Sequence, residues 1–488
     1  MTSNYRSDME EKDHSGSELG HDDNGSNVSS HEDDHDAIQE MPNEDDTNIV
    51  RRTATREKVV RASEDMRRTT SNVISHVASR ITTRTWPEPP PPPDGGLKAW
   101  TQVLMGWLVI FTTWGYVNSF GSFQTYYTST MPQSPSTISW IGSIQTFLTL
   151  MIGAFSGRLL DAGLYLPTLI VGAVIQVTGM FLMSISTKYW HLMLTQGVLT
   201  GIGGGIFFTP SLALVSTYFD KHRGLAVGLT TTGNSAGGMI YPIVVRQLIP
   251  IVGFAWTARV LAFINFTALA FVLAFMRPRL PPRKSGPLID LSAFKEPVYT
   301  GFVIGQFFLM WANYFVFYYI ASFGTQVLGL PYSSASLLII ILNGAGLPFR
   351  VLPPMVADRI GPINVLLPTT AIWAIVSFCW LAVKDIAGYY AFTVFYGICS
   401  GAFQCLTATT VASITPRLDT VGTRLGMAFS IISISALTGP PIGGALQGAN
   451  NGSFTDAQAW AASSTAVAFF FFLGARVYKG GWNLRTVC

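Results

Sequence analysis

Acidic side chains are nearly absent from the apolar part of this sequence. Asp220, Glu296, Asp358 and Asp385 lie at the edges of hydrophobic runs, none of them in the middle of one. Charged residues make up 12% of the 488-residue chain, against 49% hydrophobic. That balance excludes an ordinary soluble domain. Histidine is scarce as well. Five of the seven precede the first apolar run and none forms an HxxxH-type array, so no metal is expected. Of the four cysteines, Cys379, Cys399 and Cys405 lie within apolar runs and Cys488 ends the chain. Their spacing fits neither a disulfide framework nor zinc, and the last residues do not make a prenylation box. No nucleophile–base set or phosphate loop is present, which argues against an enzyme. The N-terminus is polar and acidic, so no cleavable signal peptide is expected.

What the sequence does have is glycine inside long apolar runs. Between Gly197 and Pro242 two such runs flank a short charged hinge, Asp220-Lys221-His222-Arg223. Each run has the roughly 20 residues that a helix needs to cross a bilayer. Gly197, Gly201 and Gly205 repeat along the first, and Gly224, Gly228, Gly233 and Gly237 along the second. Small residues at that spacing let helices pack closely in lipid. A fainter copy runs from Phe395 to Leu446, with Gly397 and Gly401, a hinge holding Arg417, Asp419 and Arg424, and Gly439-Pro440-Pro441-Ile442-Gly443-Gly444. The hinge from Gly157 to Gly163, with Arg158 and Asp161, is echoed by Asp358-Arg359-Ile360-Gly361. These echoes predict two homologous halves, as in many secondary transporters.

Twelve spans are expected near 99–123, 138–157, 166–186, 190–216, 224–246, 254–275, 298–322, 334–356, 363–383, 388–412, 425–446 and 458–478. The fold class is thus an all-α membrane protein of twelve transmembrane helices in two pseudo-symmetric six-helix halves. Residues 1–92 form a tail, acidic and then basic with a proline-rich end, whose composition predicts disorder. The halves are 93–276 and 298–480, joined by a basic linker at 277–297 and followed by a short tail at 481–488. Basic residues collect in the tail, the linker and the even-numbered hinges, which predicts that both termini are cytoplasmic. Asn451, in an Asn-Gly-Ser sequon, then falls outside, where a glycan is expected.

At this point the residues resemble a known family. Pro93-Asp94-Gly95-Gly96-Leu97-Lys98-Ala99-Trp100 resembles the DGGxGW-type signature of the monocarboxylate transporter family. The run from Tyr218 to Gly228, with Lys221 and Arg223, resembles that family's second signature, YFxKRRxLAxG. The hinges at Arg158–Gly163 and Asp358–Gly361 are similar to the cytoplasmic motif of the major facilitator superfamily. The long acidic tail and the stretch from Asn118 to Tyr127 look most like the fungal branch, whose members include vitamin carriers and exporters of clustered metabolites. The resemblance implies the major facilitator fold, a plasma-membrane location and transport by alternating access. In the family an aspartate precedes the membrane arginine by one helical turn, and a lysine lies in the first span. Here Gly346 holds the first position, and Asn118–Gly121 contains no lysine. That departure argues against lactate-type proton symport.

Physical reasoning assigns roles beside the resemblance. Asp94 is expected to cap the first helix, with Gly95 and Gly96 permitting a tight entry. Asp161 and Asp358 are expected to pair with basic residues of neighbouring hinges as a gate, alongside Arg158, Arg359, Lys221 and Arg223. Arg350 lies eight residues before Asp358, about 12 Å along a straight helix. A guanidinium at that depth predicts a water-filled path and an anion site. Asn118, Asn313, Tyr314 and Asn343 are the further candidate substrate-binding residues. The expected cargo is a small organic solute, an organic anion foremost; secondary-metabolite export and riboflavin-like vitamin uptake are the alternatives. A sensor or scaffold without transport is the alternative of a different class. No catalytic residue, cofactor or nucleic-acid partner is expected. The expected partners are the solute and the lipid bilayer, with the chain acting as a monomer.

Overall fold

The computed structural model describes residues 91–280, 289–416 and 420–481. Residues 1–90 of the expected N-terminal tail, 281–288 of the expected linker, 482–488 of the expected C-terminal tail, and Arg417 and Asp419 lie outside the described residues. Within them the chain is helical, with no strand. In chain order the helices are α1 Gly96–Thr130, α2 Pro135–Asp161, α3 Tyr165–Met183, α4 Tyr189–Ser216, α5 Arg223–Phe275, α6 Pro297–Gln326, α7 Tyr332–Gly346, α8 Leu352–Ile360, α9 Pro362–Ala382, α10 Ile386–Ile414, α11 Val421–Ala449 and α12 Thr455–Gly480. Ten of them are long and apolar enough to cross a membrane, or eleven spans if the bent pair formed by α7 and the segment Pro348–Ile360 is one.

Two expected boundaries are corrected. α5 is two helices that meet at a kink, so the break expected between 246 and 254 is present but narrower than expected. Its backbone is non-helical only at Gly253 (φ 74°), where a side chain would be strained. The single span expected at 334–356 is instead broken after Gly346 and bent by 44°. Pro348, Pro353 and Pro354 remove the N–H groups that a continuous helix needs there, and a 3₁₀ turn fills the gap. The 12 Å estimate for Arg350 assumed a straight helix and does not describe this break.

The duplication expected from the sequence appears as repeated contacts. Trp107 of α1 donates its indole N–H to Thr232 of α5 (3.1 Å), and Trp311 of α6 does so to Thr438 of α11 (2.7 Å). A Cβ on Gly237 would lie 2.6 Å from Gly115 of α1, and one on Gly439 would lie 2.8 Å from the Trp311 carbonyl. In the other pair of packings, Gly201 and Gly205 meet the backbone of α2 at Gln145 and Leu148, while Gly397 and Gly401 of α10 meet α7 at Leu342 and Gly346. Without a hydrophobic drive between helices in lipid, such backbone approaches carry much of the packing. α2 ends on Asp161, two residues before Gly163, and α8 carries Asp358 in its last turn, three residues before Gly361; both glycines have positive φ.

α1 and α6 are the most buried helices. Large apolar residues face outward on the periphery, among them Ile170, Val171 and Val174 of α3, Phe263 and Phe266 of α5, and Ile372 and Ile375 of α9. This is the surface that acyl chains would cover. The halves meet along α2–α11 and along α5–α7/α8. At the end opposite the basic hinges they are tied by Thr125–Ser322 (3.3 Å), Ser136 to the Pro441 carbonyl (2.8 Å), Tyr319 to the Pro135 carbonyl (3.0 Å) and Tyr332 to the Ser122 carbonyl (3.2 Å).

Candidate functional site

The site sits between the halves, at the break that follows α7. The proline-rich turn directs Arg350 inward, and the side chain is 3% exposed. Its Nε donates to Ser235 Oγ of α5 at 2.7 Å, across the boundary between halves. Its Nη2 donates to Gln404 Oε1 of α10 at 3.0 Å. Gln404 in turn donates to Ser400 Oγ (3.0 Å), and Ser400 donates to Asn313 Oδ1 of α6 (2.9 Å). Asn234, beside Ser235, joins the cluster from α5. In one orientation it accepts from Asn118 Nδ2 of α1 (2.6 Å) and donates to Gln404 Oε1 (2.8 Å). In the other its oxygen accepts from Arg350 Nη1 (3.1 Å) and Nη2 (3.0 Å), while its amide donates to the Trp114 carbonyl (3.2 Å). The positive charge favours the second. Trp114 lies in a π-helical turn of α1, Phe111–Gly115, one turn before Asn118.

The guanidinium is therefore held only by neutral oxygens. The other two buried arginines among the described residues lie near helix ends. Arg424 is fixed by Asp290 (3.2 Å) and Glu296 (2.6 Å) where α11 begins, and Arg476 donates to Asn364 Oδ1 and to the Gly481 carbonyl (2.9 Å) where α12 ends. Every described acid lies at or between helix ends: Asp94, Asp161, Asp220, Asp290, Glu296, Asp358, Asp385 and Asp456. A buried cation without an anion is costly, so the arrangement is suited to receive one.

Of the sequence-selected residues, Arg350, Asn118 and Asn313 are brought together, and Tyr314 is a titratable neighbour of Arg350. Asn343 stands apart: its amide donates to the Gly238 (3.3 Å) and Ile339 (2.9 Å) carbonyls, and its Oδ1 is buried without a partner. Asn234, Ser235, Ser400 and Gln404 were not selected. Asn234 and Gln404 carried the signal that selected Asn118, an amide deep in an apolar run.

At the basic end, Asp94 and Asp358 are placed differently than expected. Asp94 does not cap α1, whose first turn has no side-chain cap. Its positive φ of 51° turns the carboxylate toward the hinge before α5, where it accepts the backbone N–H groups of Asp220 and of Lys221 (2.9 Å). These bonds, that from Asp220 foremost, hold its carboxyl below the usual range. The two signature stretches thus touch. Gly95 leads into Gly96, whose φ of 79° is one that glycine favours. The described neighbour that Asp358 meets is not a basic side chain but the first turn of α5. A Cβ on Gly224 would lie 3.0 Å from its Oδ2, which puts the carboxylate at the positive end of that helix's dipole. Arg158 and Asp161 close α2, Arg359 lies in the last turn of α8, and Lys221 and Arg223 are exposed in the hinge before α5. At the opposite end Asn451 is exposed in the turn after α11.

Three comparisons bear on this arrangement. The model of the Major Facilitator Superfamily matches residues 103–381. Among curated proteins the chain is 43% identical over 389 residues to an MFS-type transporter of Gibberella zeae, covering 79% of this chain and 88% of that one. It is 37% identical over 364 residues to an aspyridones efflux protein of Emericella nidulans, covering 74% of each. Among solved structures it is similar in fold to a bacterial homologue of the human lysosomal transporter Spinster, inward-facing and unoccupied (TM-score 0.60, 14% identity, 79% of this chain and 98% of that one). The nucleoside transporter NupG is similar too (TM-score 0.59, 15% identity, 77% and 99%).

Proposed function

The chain belongs to the Major Facilitator Superfamily, and from that premise we propose that it exports a small organic anion by alternating access. The observation that carries the reading is Arg350, buried between the halves and bonded to both with neutral oxygens only. A carboxylate or comparable anion takes a guanidinium bidentately and supplies the charge that Ser235, Gln404 and Asn234 lack. Asn118, Asn313 and Tyr314 complete the polar lining, with Asn343 one step removed. Dividing α5 at Gly253 and joining α7 to α8 gives twelve spans in two halves. The excess of basic residues at the Asp94 end supports the reading of that end as cytosolic, with both termini inside and the plasma membrane as the location. Asn451 then faces outward and accepts a glycan.

Arg158, Asp161, Lys221, Arg223, Asp358 and Arg359 work in this reading as the inner gate, and Asp94, Gly95 and Gly96 fasten the first span to the hinge that moves. The resemblance of the two signatures to the monocarboxylate transporter family supports an acid as cargo. The efflux protein among the relatives supports an outward direction. The test is Arg350→Ala. Removing one member of a buried charge-assisted contact costs about 2–5 kcal/mol, so export falls by more than roughly 30-fold. The variant still reaches the membrane, as fluorescence of a tagged chain reports. Unchanged export overturns the assignment.

A further inference from the structure

Resting on the reading of Arg350 as the anion-binding group, we infer that the cargo carries one net negative charge and that the membrane potential, not a proton gradient, drives its export. The reason is a count of charges along the path. Arg350 is the one buried arginine described in mid-span, and its partners Ser235, Asn234 and Gln404 are neutral. Its titratable neighbours are Tyr314 of α6 and Cys405 of α10. Cys405 donates its thiol hydrogen to the Ala402 carbonyl (3.0 Å), and neither a phenol nor a thiol has an ordinary pKa near that of a carboxylate. From α1 and α5 the cluster receives Asn118, Asn234 and Ser235, which do not titrate. Among the described residues no aspartate or glutamate lies inside a helix away from its ends. No described carboxylate is therefore placed to accept a proton on one side and release it on the other.

The consequence is a particular division of charge between steps. A monoanion neutralises the guanidinium, so the loaded carrier reorients without moving net charge. The empty carrier returns with one positive charge. An inside-negative potential draws that charge back inward, and the cycle as a whole moves one negative charge out. At equilibrium this sustains a roughly 50-fold outward concentration ratio for each 100 mV, the equivalent of about 2.3 kcal/mol per charge. A dianion leaves the loaded carrier negatively charged in a low-dielectric core, and a neutral solute leaves the guanidinium without its counter-charge. Both are carried poorly.

The full chain, reconstituted in proteoliposomes, tests this. The vesicles are loaded with the small-metabolite extract of cells that express the gene. Potassium gradients with valinomycin set the potential, and a pH gradient at zero potential is imposed separately. Mass spectrometry identifies what leaves through wild type and through Arg350→Gln. The expected result is a set of monoanions that leaves only through wild type, at least tenfold faster at inside-negative than at zero potential, and indifferent to the pH gradient alone. Arg350-dependent release that follows the pH gradient and ignores potential overturns the inference while leaving the anion site standing. Arg350-dependent release of dianions or neutral solutes overturns the charge assignment. Release that does not depend on Arg350 at all overturns the reading beneath it. Should Arg350→Gln not fold, Arg350→Lys retains the charge without the fork. It is expected to lower the flux while keeping its dependence on potential, and loss of that dependence contradicts the account.

Discussion

At the scale of single residues, Gln404 is the side chain on which Arg350 turns. Its oxygen accepts from the guanidinium and its nitrogen donates to Ser400, so the amide passes the orientation of α6 to the cation. Gln404→Glu places a carboxylate 3.0 Å from Nη2. That internal acid supplies the counter-charge expected from cargo, and the cargo must then displace it. Export of anions is expected to fall at least roughly tenfold, about 1.4 kcal/mol, while the melting temperature of the detergent-solubilised protein rises. A lower melting temperature, or unchanged export, counts against the role given to Arg350. Arg350 itself was legible in the sequence because one charge in an apolar run is an outlier that physics notices. Its partners were not, because Ser235 and Gln404 come from different halves and only tertiary packing brings them together. Asp94 was misread for the same reason. Its acceptor role toward Asp220 and Lys221 depends on a hinge more than a hundred residues away in sequence.

At the scale of helices, glycine decides how closely α1 and α5 approach. A Cβ on Gly237 meets the Cα of Gly115 at 2.6 Å, and backbone has no rotamer in which to yield. Gly237→Leu is expected to destabilise the protein by about 3 kcal/mol, the upper part of the overpacking range. Gly448→Leu, in α11 with no atom within 4 Å, is expected to be neutral. Thermal melting of the two variants side by side checks this, and equal losses remove the argument from close packing. The small-residue repeats made these contacts readable from sequence as a kind, though not as pairs. The break after Gly346 carried its own signal in Pro348, Pro353 and Pro354, which an apolar run of the right length masks. The break expected between 246 and 254 is present but confined to the turn at Gly253, because the backbone stays helical up to it.

At the scale of the whole molecule, the halves repeat one design with one difference. Asp161 and Asp358 close equivalent helices 197 positions apart, and the same interval carries Gln145 to Leu342 in the glycine contacts. Applied to Arg350 it leads to Gly153, where a Cβ would lie 2.8 Å from Thr209 Oγ1. The second half therefore carries the charge and the first half offers it Ser235 and Asn234, so that the cation bonds to both halves. Movement of one half against the other must break those bonds and the ties at the end opposite the basic hinges. The most direct measurement is to prevent it. Thr125 and Ser322, whose hydroxyl oxygens lie 3.3 Å apart across the halves, are replaced together by cysteine in a chain whose own cysteines are replaced by serine or alanine. Oxidation is expected to stop anion export, reduction to restore it, and neither single-cysteine control to respond. Export that continues through fully cross-linked protein contradicts transport by opening of that end.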